Sequence, residues 1–205
     1  MIAIIDYGAG NLQSVKKAFD FIGVPTKVTS DPNELLAAKA AVLPGVGAFG
    51  DSMAALESLN MTQPIRDFIA SERPFLGICL GLQMLFESSE ESPGVPGLGV
   101  LKGSIARIPA GEGLKIPHIG WNSLSLRQTG GLFSGLEAEP YVYFVHSYYL
   151  KAEEEEIIKA TTEYSTHIHA SVEKGNLFAC QFHPEKSSDR GLAILKNFAE
   201  IGEED

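Results

Sequence analysis

Cys79 lies between two glycines in the run Gly77-Ile78-Cys79-Leu80-Gly81, directly after the apolar residues Phe75, Leu76 and Ile78. A strand that ends this way turns sharply into a helix and leaves a thiol at the apex, the same logic as the elbow of serine hydrolases. Far along the chain, Phe182-His183-Pro184-Glu185 sets an imidazole and a carboxylate two residues apart. On a strand such a pair shares one face, so Glu185 is expected to orient the ring of His183. Cys79, His183 and Glu185 then supply nucleophile, base and orienter for acyl transfer through a covalent intermediate. A helix N-terminus and a nearby histidine both favour a thiolate, which is the reactive form.

The chain has five histidines, but His118, His146, His167 and His169 have no carboxylate at that same-face spacing. The other cysteine, Cys180, lies three residues before His183, and strand parity sends it to the opposite face. It reads as a small buried hydrophobe. Two cysteines without a C-x-x-C spacing make neither a disulfide framework nor a zinc site, so no metal is expected.

Other short runs leave two readings open. Pro44-Gly45-Val46-Gly47 follows the apolar run Ala40 to Leu43. It is either an ordinary turn after a strand or a loop that aims a backbone N–H at a developing oxyanion, beside the N–H of Leu80. Gln83 stands one helical turn after Cys79, where it either holds a polar substrate or faces solvent. Trp121, the one tryptophan, is either core or an interface anchor. Gly8-Ala9-Gly10-Asn11 resembles half of a dinucleotide fingerprint, but it lacks the third glycine and the later acidic residue. A nicotinamide cofactor is therefore rejected, and no cofactor is expected.

The elements that must position these residues alternate in the first half. Apolar runs Ile2 to Asp6, Val24 to Thr29, Ala40 to Leu43 and Phe75 to Cys79 read as strands. Helical patterns fall between them, near Leu12 to Ile22, Asp31 to Glu34, Asp51 to Leu59 and Pro64 to Ser71, with another from Leu80 to Phe86. From about Gly94, β-rich runs dominate: Val100 to Ile108, Trp121 to Leu126, Tyr141 to Leu150, Ile157 to Thr162, Ala170 to Val172 and Leu177 to Phe182. A turn at Lys174-Gly175-Asn176 and a last helix from Ser187 complete the pattern. The expected fold is a three-layer α/β, flavodoxin-like open and mostly parallel sheet with an antiparallel extension in the C-terminal half.

A length of 205 residues fits one domain spanning 1–205. The net charge of −10 argues against a general nucleic-acid binder, which needs clustered Lys and Arg. Much of that charge sits in Glu153 to Glu156 and Glu203-Glu204-Asp205, read as solvated runs. No apolar stretch approaches the roughly 20 residues that cross a bilayer. The start, Met1-Ile2-Ala3-Ile4-Ile5-Asp6, reads as a strand and not a signal peptide, so a cytoplasmic protein without membrane contact is expected.

Taken together, these runs resemble the class I, triad-type glutamine amidotransferases. The resemblance rests on Asp6-Tyr7-Gly8-Ala9-Gly10-Asn11-Leu12, Leu43-Pro44-Gly45-Val46-Gly47-Ala48-Phe49 and Gly77-Ile78-Cys79-Leu80-Gly81-Leu82-Gln83. It continues through Pro117-His118-Ile119-Gly120-Trp121-Asn122, Tyr143-Phe144-Val145-His146-Ser147-Tyr148 and Gln181-Phe182-His183-Pro184-Glu185-Lys186-Ser187. The branch it is most similar to comprises the glutaminase subunits that serve imidazole glycerol phosphate formation in histidine biosynthesis. The resemblance implies that Cys79 attacks the side-chain amide of L-glutamine and that N–H groups of Leu80 and the Gly45-Val46 loop hold the oxyanion. It also implies that Gln83, Glu91 and backbone at Ser147 and Tyr148 grip the substrate. Ammonia released in water would mostly become ammonium, so the resemblance further implies a (β/α)₈-barrel synthase partner in a heterodimer. Trp121, Asn122, Tyr143 and Lys186 are the interface candidates. Two other readings stand beside it: a glutaminase serving another synthase, and a protease-like or chaperone-like member of the same architecture.

Overall fold

The computed structural model describes residues 1–8, 11–127 and 130–202. Ala9 and Gly10 of the glycine-rich start, and the acidic tail Glu203-Glu204-Asp205, lie outside those residues. Within them the first half runs β1 Ile2–Ile5, α1 Leu12–Phe21, β2 Thr26–Thr29, α2 Pro32–Ala37, β3 Ala40–Gly45, α3 Phe49–Ser58, α4 Thr62–Ala70, β4 Phe75–Cys79 and α5 Leu80–Met84. The second half adds β5 Ser88–Ser89, β6 Gly103–Arg107, β7 His118–Ser123, β8 Ser125–Leu126, β9 Tyr141–His146, β10 Tyr148–Ala152, β11 Ile158–Tyr164, β12 Thr166–Lys174, β13 Leu177–Cys180 and α6 Ser188–Ile201.

Local chemistry explains the boundaries. Asp31 caps α2 by accepting from the Asn33 N–H at 2.8 Å, with Pro32 at the first helical position. Gly23, at φ +77°, takes the left-handed turn that ends α1. Helix α1 buries Val15, Ala18 and Phe19, and α6 buries Ile194, Leu195 and Phe198, each at helical spacing on one face.

Strands β2-β1-β3-β4-β13 form a parallel array in that order, the flavodoxin-like arrangement. Along each central strand, alternate side chains enter different cores. Ile5, Leu43 and Phe75 join α2 to α5 on one side, while Ile4, Val42, Leu76 and Ile78 join α1 and α6 on the other. Strands β1, β3 and β4 are buried throughout, which is why their sequences read as continuous apolar runs. Beyond β13 the sheet continues antiparallel through β12, β10 and β6, so the expected fold class is borne out.

The β-rich run Tyr141 to Leu150 divides into two strands: β9 pairs with β7 in a separate two-stranded sheet, and β10 joins the large sheet after a break at Ser147. One expectation needs correction: the His-x-Glu pair is not on a strand. Strand β13 stops at Cys180, and Pro184–Lys186 is a single 3₁₀ turn. Pro184 has no N–H to give a ladder, and its fixed φ suits the start of a helical turn. Ser187 locks that turn, its hydroxyl donating to the His183 carbonyl at 2.6 Å and accepting from the Tyr143 N–H at 2.9 Å. The strand-parity reading of Cys180 against His183 therefore does not apply. Cys180 is nonetheless fully buried, its thiol directed at the Phe182 carbonyl at 3.5 Å.

Candidate active site

The elbow is built by close approach of backbones. Cys79 has φ 54° and ψ −107°, a conformation strained for any residue with a Cβ. Gly81 makes the turn possible, because a Cβ there would lie 1.9 Å from the Leu43 carbonyl oxygen. Gly77 faces Gly81 across the bend, where a Cβ would sit 3.0 Å from the Gly81 carbonyl. The strand register places Gly45 beside Cys79, and a Cβ on Gly45 would come within 2.8 Å of Leu80 Cβ and of the Tyr7 hydroxyl. That hydroxyl donates to the Pro44 carbonyl at 3.0 Å, pinning the base of the loop. Burial pushes the Tyr7 phenol up to about 12, so it remains a donor across the neutral range.

A cavity of about 430 Å³ opens at this edge of the sheet. Val46, Leu80, Gln83, Glu91, Ser147, Tyr148 and Lys186 line it together with Cys79, so all four expected substrate residues converge. Its size suits a small-molecule ligand on the scale of a free amino acid. Glu91 has a second engagement, accepting from the Phe49 N–H at 2.8 Å. It thereby caps α3, the helix that follows the glycine loop. The Tyr148 carbonyl accepts from Gln83 Nε2 at 3.2 Å and from His146 Nδ1 at 2.8 Å, and the Ser147 carbonyl accepts from the Ile108 N–H at 2.9 Å.

His183 and Glu185 are buried and lie outside the cavity wall, joined by a 2.8 Å contact from Nδ1 to Oε1. Burial alone would lower the imidazole, but its neighbours Cys79 and Glu185 override that and raise His183 to about 10. The ring is thus held as imidazolium at neutral pH. By strict hydrogen-bond geometry the contact with sulfur is not closed. Among the described residues His183 Nε2 and Glu185 Oε2 are buried without a hydrogen-bond partner, and the Cys79 thiol is aligned on the Val145 carbonyl at 3.9 Å. The contacts the sulfur does make are with the Val145 carbonyl and the Gln181 amide.

The interface candidates divide. Trp121 and Tyr143 face each other across β7 and β9, their rings edge-on at 6.0 Å, with Trp121 half exposed. Lys186 is exposed at the cavity rim. Asn122 instead donates to the Glu163 carbonyl at 3.0 Å, tying β7 to β11. Two groups near the thiol have no place among the expected site residues. Gln181 donates to Cys79 Sγ, and His146 lines the cavity in contact with His118. Neither residue shows periodicity or a local partner in sequence, so only the tertiary structure reveals the contact. Among the described residues no cluster of His, Cys, Asp or Glu is arranged to hold a metal ion.

The family model "Glutamine amidotransferase class-I" matches residues 3–201. This chain belongs to the class-I glutamine amidotransferases. Curated relatives include the imidazole glycerol phosphate synthase subunit HisH of Moorella thermoacetica, 52% identical across 98% of this chain and 94% of that one. The HisH subunit of Methanothermobacter thermautotrophicus is also 52% identical, covering 98% of each chain. Among solved structures, one titled a glutamine amidotransferase superposes with a TM-score of 0.78 at 20% identity, covering 99% of this chain and all of that one. The PurLQS structure from Thermotoga maritima gives 0.75 at 17% identity over 97% of both. At such identities the structures support the amidotransferase fold alone.

Proposed function

We propose that this chain hydrolyses L-glutamine to glutamate and ammonia and passes the ammonia to a (β/α)₈-barrel synthase partner. That partner forms imidazole glycerol phosphate and an aminoimidazole carboxamide ribotide in histidine biosynthesis, and the pair works in the cytoplasm. The observation that carries the reading is a strained cysteine at a strand-to-helix apex on the wall of a cavity sized for an amino acid, in a chain that also buries a hydrogen-bonded His183–Glu185 pair. Full-length similarity to HisH subunits selects this glutaminase over others with the same apparatus.

In this mechanism Cys79 reacts as the thiolate, paired with protonated His183: its sulfur attacks the glutamine side-chain carbon, and N–H groups at Leu80 and the Gly45-Val46 loop receive the developing negative charge. The His183 imidazolium gives its proton to the departing nitrogen, so ammonia leaves and a thioester remains. The now neutral His183 then takes a proton from water as its oxygen adds to the thioester carbon. Collapse expels the sulfur and frees glutamate. Glu185 keeps the ring oriented and favours its charged form. Gln83 and Glu91 hold the amino-acid end, with backbone at Ser147 and Tyr148. Ammonia is useful as a nucleophile only while unprotonated, so the partner seals the cavity mouth, contacting Trp121, Tyr143 and Lys186 with Asn122 beside them. Among the described residues no helix is long and apolar enough to cross a membrane.

The test is to combine the chain with candidate barrel synthases, record which one co-purifies, and measure glutamate release. Pairing with the imidazole glycerol phosphate enzyme, with turnover lost in Cys79→Ala, is the expected result. Pairing with an aminobenzoate or pyridoxal phosphate synthase instead would reassign the pathway.

A further inference from the structure

Gln181 is fully buried, yet its amide is not spent on packing. Its polarity follows from a chain of contacts that begins at a backbone carbonyl. The Tyr148 carbonyl can only accept, so the Gln83 atom 3.2 Å from it must be the NH₂ nitrogen. That same nitrogen lies 3.0 Å from the Gln181 side chain, which must therefore present its oxygen. The Gln181 NH₂ is left facing Cys79 Sγ at 3.6 Å. The orientation of both amides is thus fixed by the hydrogen-bond network, with no free flip.

Two groups consequently compete at the sulfur. The Val145 carbonyl, 3.9 Å away, interacts favourably only with the protonated thiol. The Gln181 N–H interacts with either form and more strongly with the charged one, since hydrogen bonds to ions are roughly twice as strong as neutral ones. We propose that Gln181 is a further residue of the glutaminase reaction: its amide N–H holds the Cys79 sulfur in the reactive form and couples it to Gln83 on the cavity wall. This inference rests on the glutaminase reading. Gln83 is 4% exposed and lines the cavity, so a ligand that fixes its amide also fixes Gln181 and hence the donor at the sulfur.

The experiment uses the full chain and iodoacetamide as a probe of Cys79, with alkylation rates followed across pH and assigned by Cys79→Ser. Gln181→Met removes the donor at nearly constant volume. Gln181→Glu keeps the acceptor for Gln83 but puts an ionisable oxygen at the sulfur. Circular dichroism and thermal melting check the fold of both. Gln181→Met is expected to slow alkylation about tenfold at neutral pH and move the profile alkaline, in line with the loss of one hydrogen bond to a charged group. Gln181→Glu is expected to slow it further. A packing role predicts the opposite ranking, with the glutamate variant milder because its bond to Gln83 survives, and that ranking overturns the proposal. So does an unchanged profile in Gln181→Met. Failure of the unmodified chain with its synthase partner to release glutamate from glutamine would instead sink the glutaminase reading itself, so the two failures are distinguishable.

Discussion

Two buried histidine regions flank one cavity, and their charges are opposite in tendency. His183 is held protonated, raised to about 10 despite burial, because Cys79 and Glu185 beside it favour the charged ring. His146 and His118 are pushed down to about 4, chiefly by burial. They contact each other at 3.0 Å, and His118 stacks against Tyr164 at 3.9 Å and Phe144 at 4.9 Å. Because the Tyr148 carbonyl only accepts, His146 carries its proton on Nδ1, so His118 donates to its partner ring. Burial is similar in both places; the difference is a carboxylate at one and aromatic faces at the other. Partner chemistry, and not depth, decides which imidazole can act as an acid at neutral pH.

Removing the carboxylate breaks the comparison most severely. Glu185→Gln is expected to lower glutamine turnover by about ten-thousand-fold, by analogy with the loss of the aspartate in a serine-protease triad. Steady-state glutamate release with partner present checks it, and the thermal midpoint should move far less. Next in size is Gly81→Ala. The added Cβ would meet the Leu43 oxygen at 1.9 Å, so a loss of about 3 kcal/mol is expected in chemical denaturation.

A pH series sharpens the contrast. Since His183 is raised in the folded chain, its stabilisation is complete below the unfolded value of about 6.5 and is lost as pH rises toward about 10. His118 and His146 are depressed bases, so the unfolded chain takes up protons first, and stability falls as pH drops from about 6.5 toward about 4. Imidazole NMR titration should show His183 charged at pH 7, with the other two neutral down to the acid limb. His183→Gln should remove the alkaline loss and leave the acid loss in place. The smallest effect is expected at the exposed β7–β9 surface. Trp121→Ala should change stability by less than about 0.5 kcal/mol while weakening synthase binding, read by isothermal titration.

The sequence made some of this legible because the information was local. The strand Phe75–Cys79 and its turn were fixed by an apolar run closed by glycines, and they match the observed boundaries. The helix after it is expected to reach Phe86 but ends at Met84 with Leu85 as its C-cap, while the apolar run continues through Phe86 and gives no stop signal. The proposed triad residues are legible by type and spacing, although the expected strand under His183 and Glu185 is a 3₁₀ turn. Pro184 was the clue, and reading it as a strand-edge residue missed its fit to a helical turn. The split of Tyr141 to Leu150 between two sheets left no mark, because aromatic and apolar residues run through both strands on either side of Ser147. Gln181 and the His118–His146 contact depend on pairs separated by 102 and 28 positions, which no single-sequence pattern reports.

The most direct measurement is covalent trapping with the glutamine analogue 6-diazo-5-oxo-L-norleucine, followed by peptide mass mapping in the presence of the synthase. One adduct, on Cys79, blocked by excess glutamine and accompanied by complete loss of glutamate release, is the predicted result. An adduct confined to Cys180, or full glutamate release from a chain quantitatively labelled at Cys79, would contradict it.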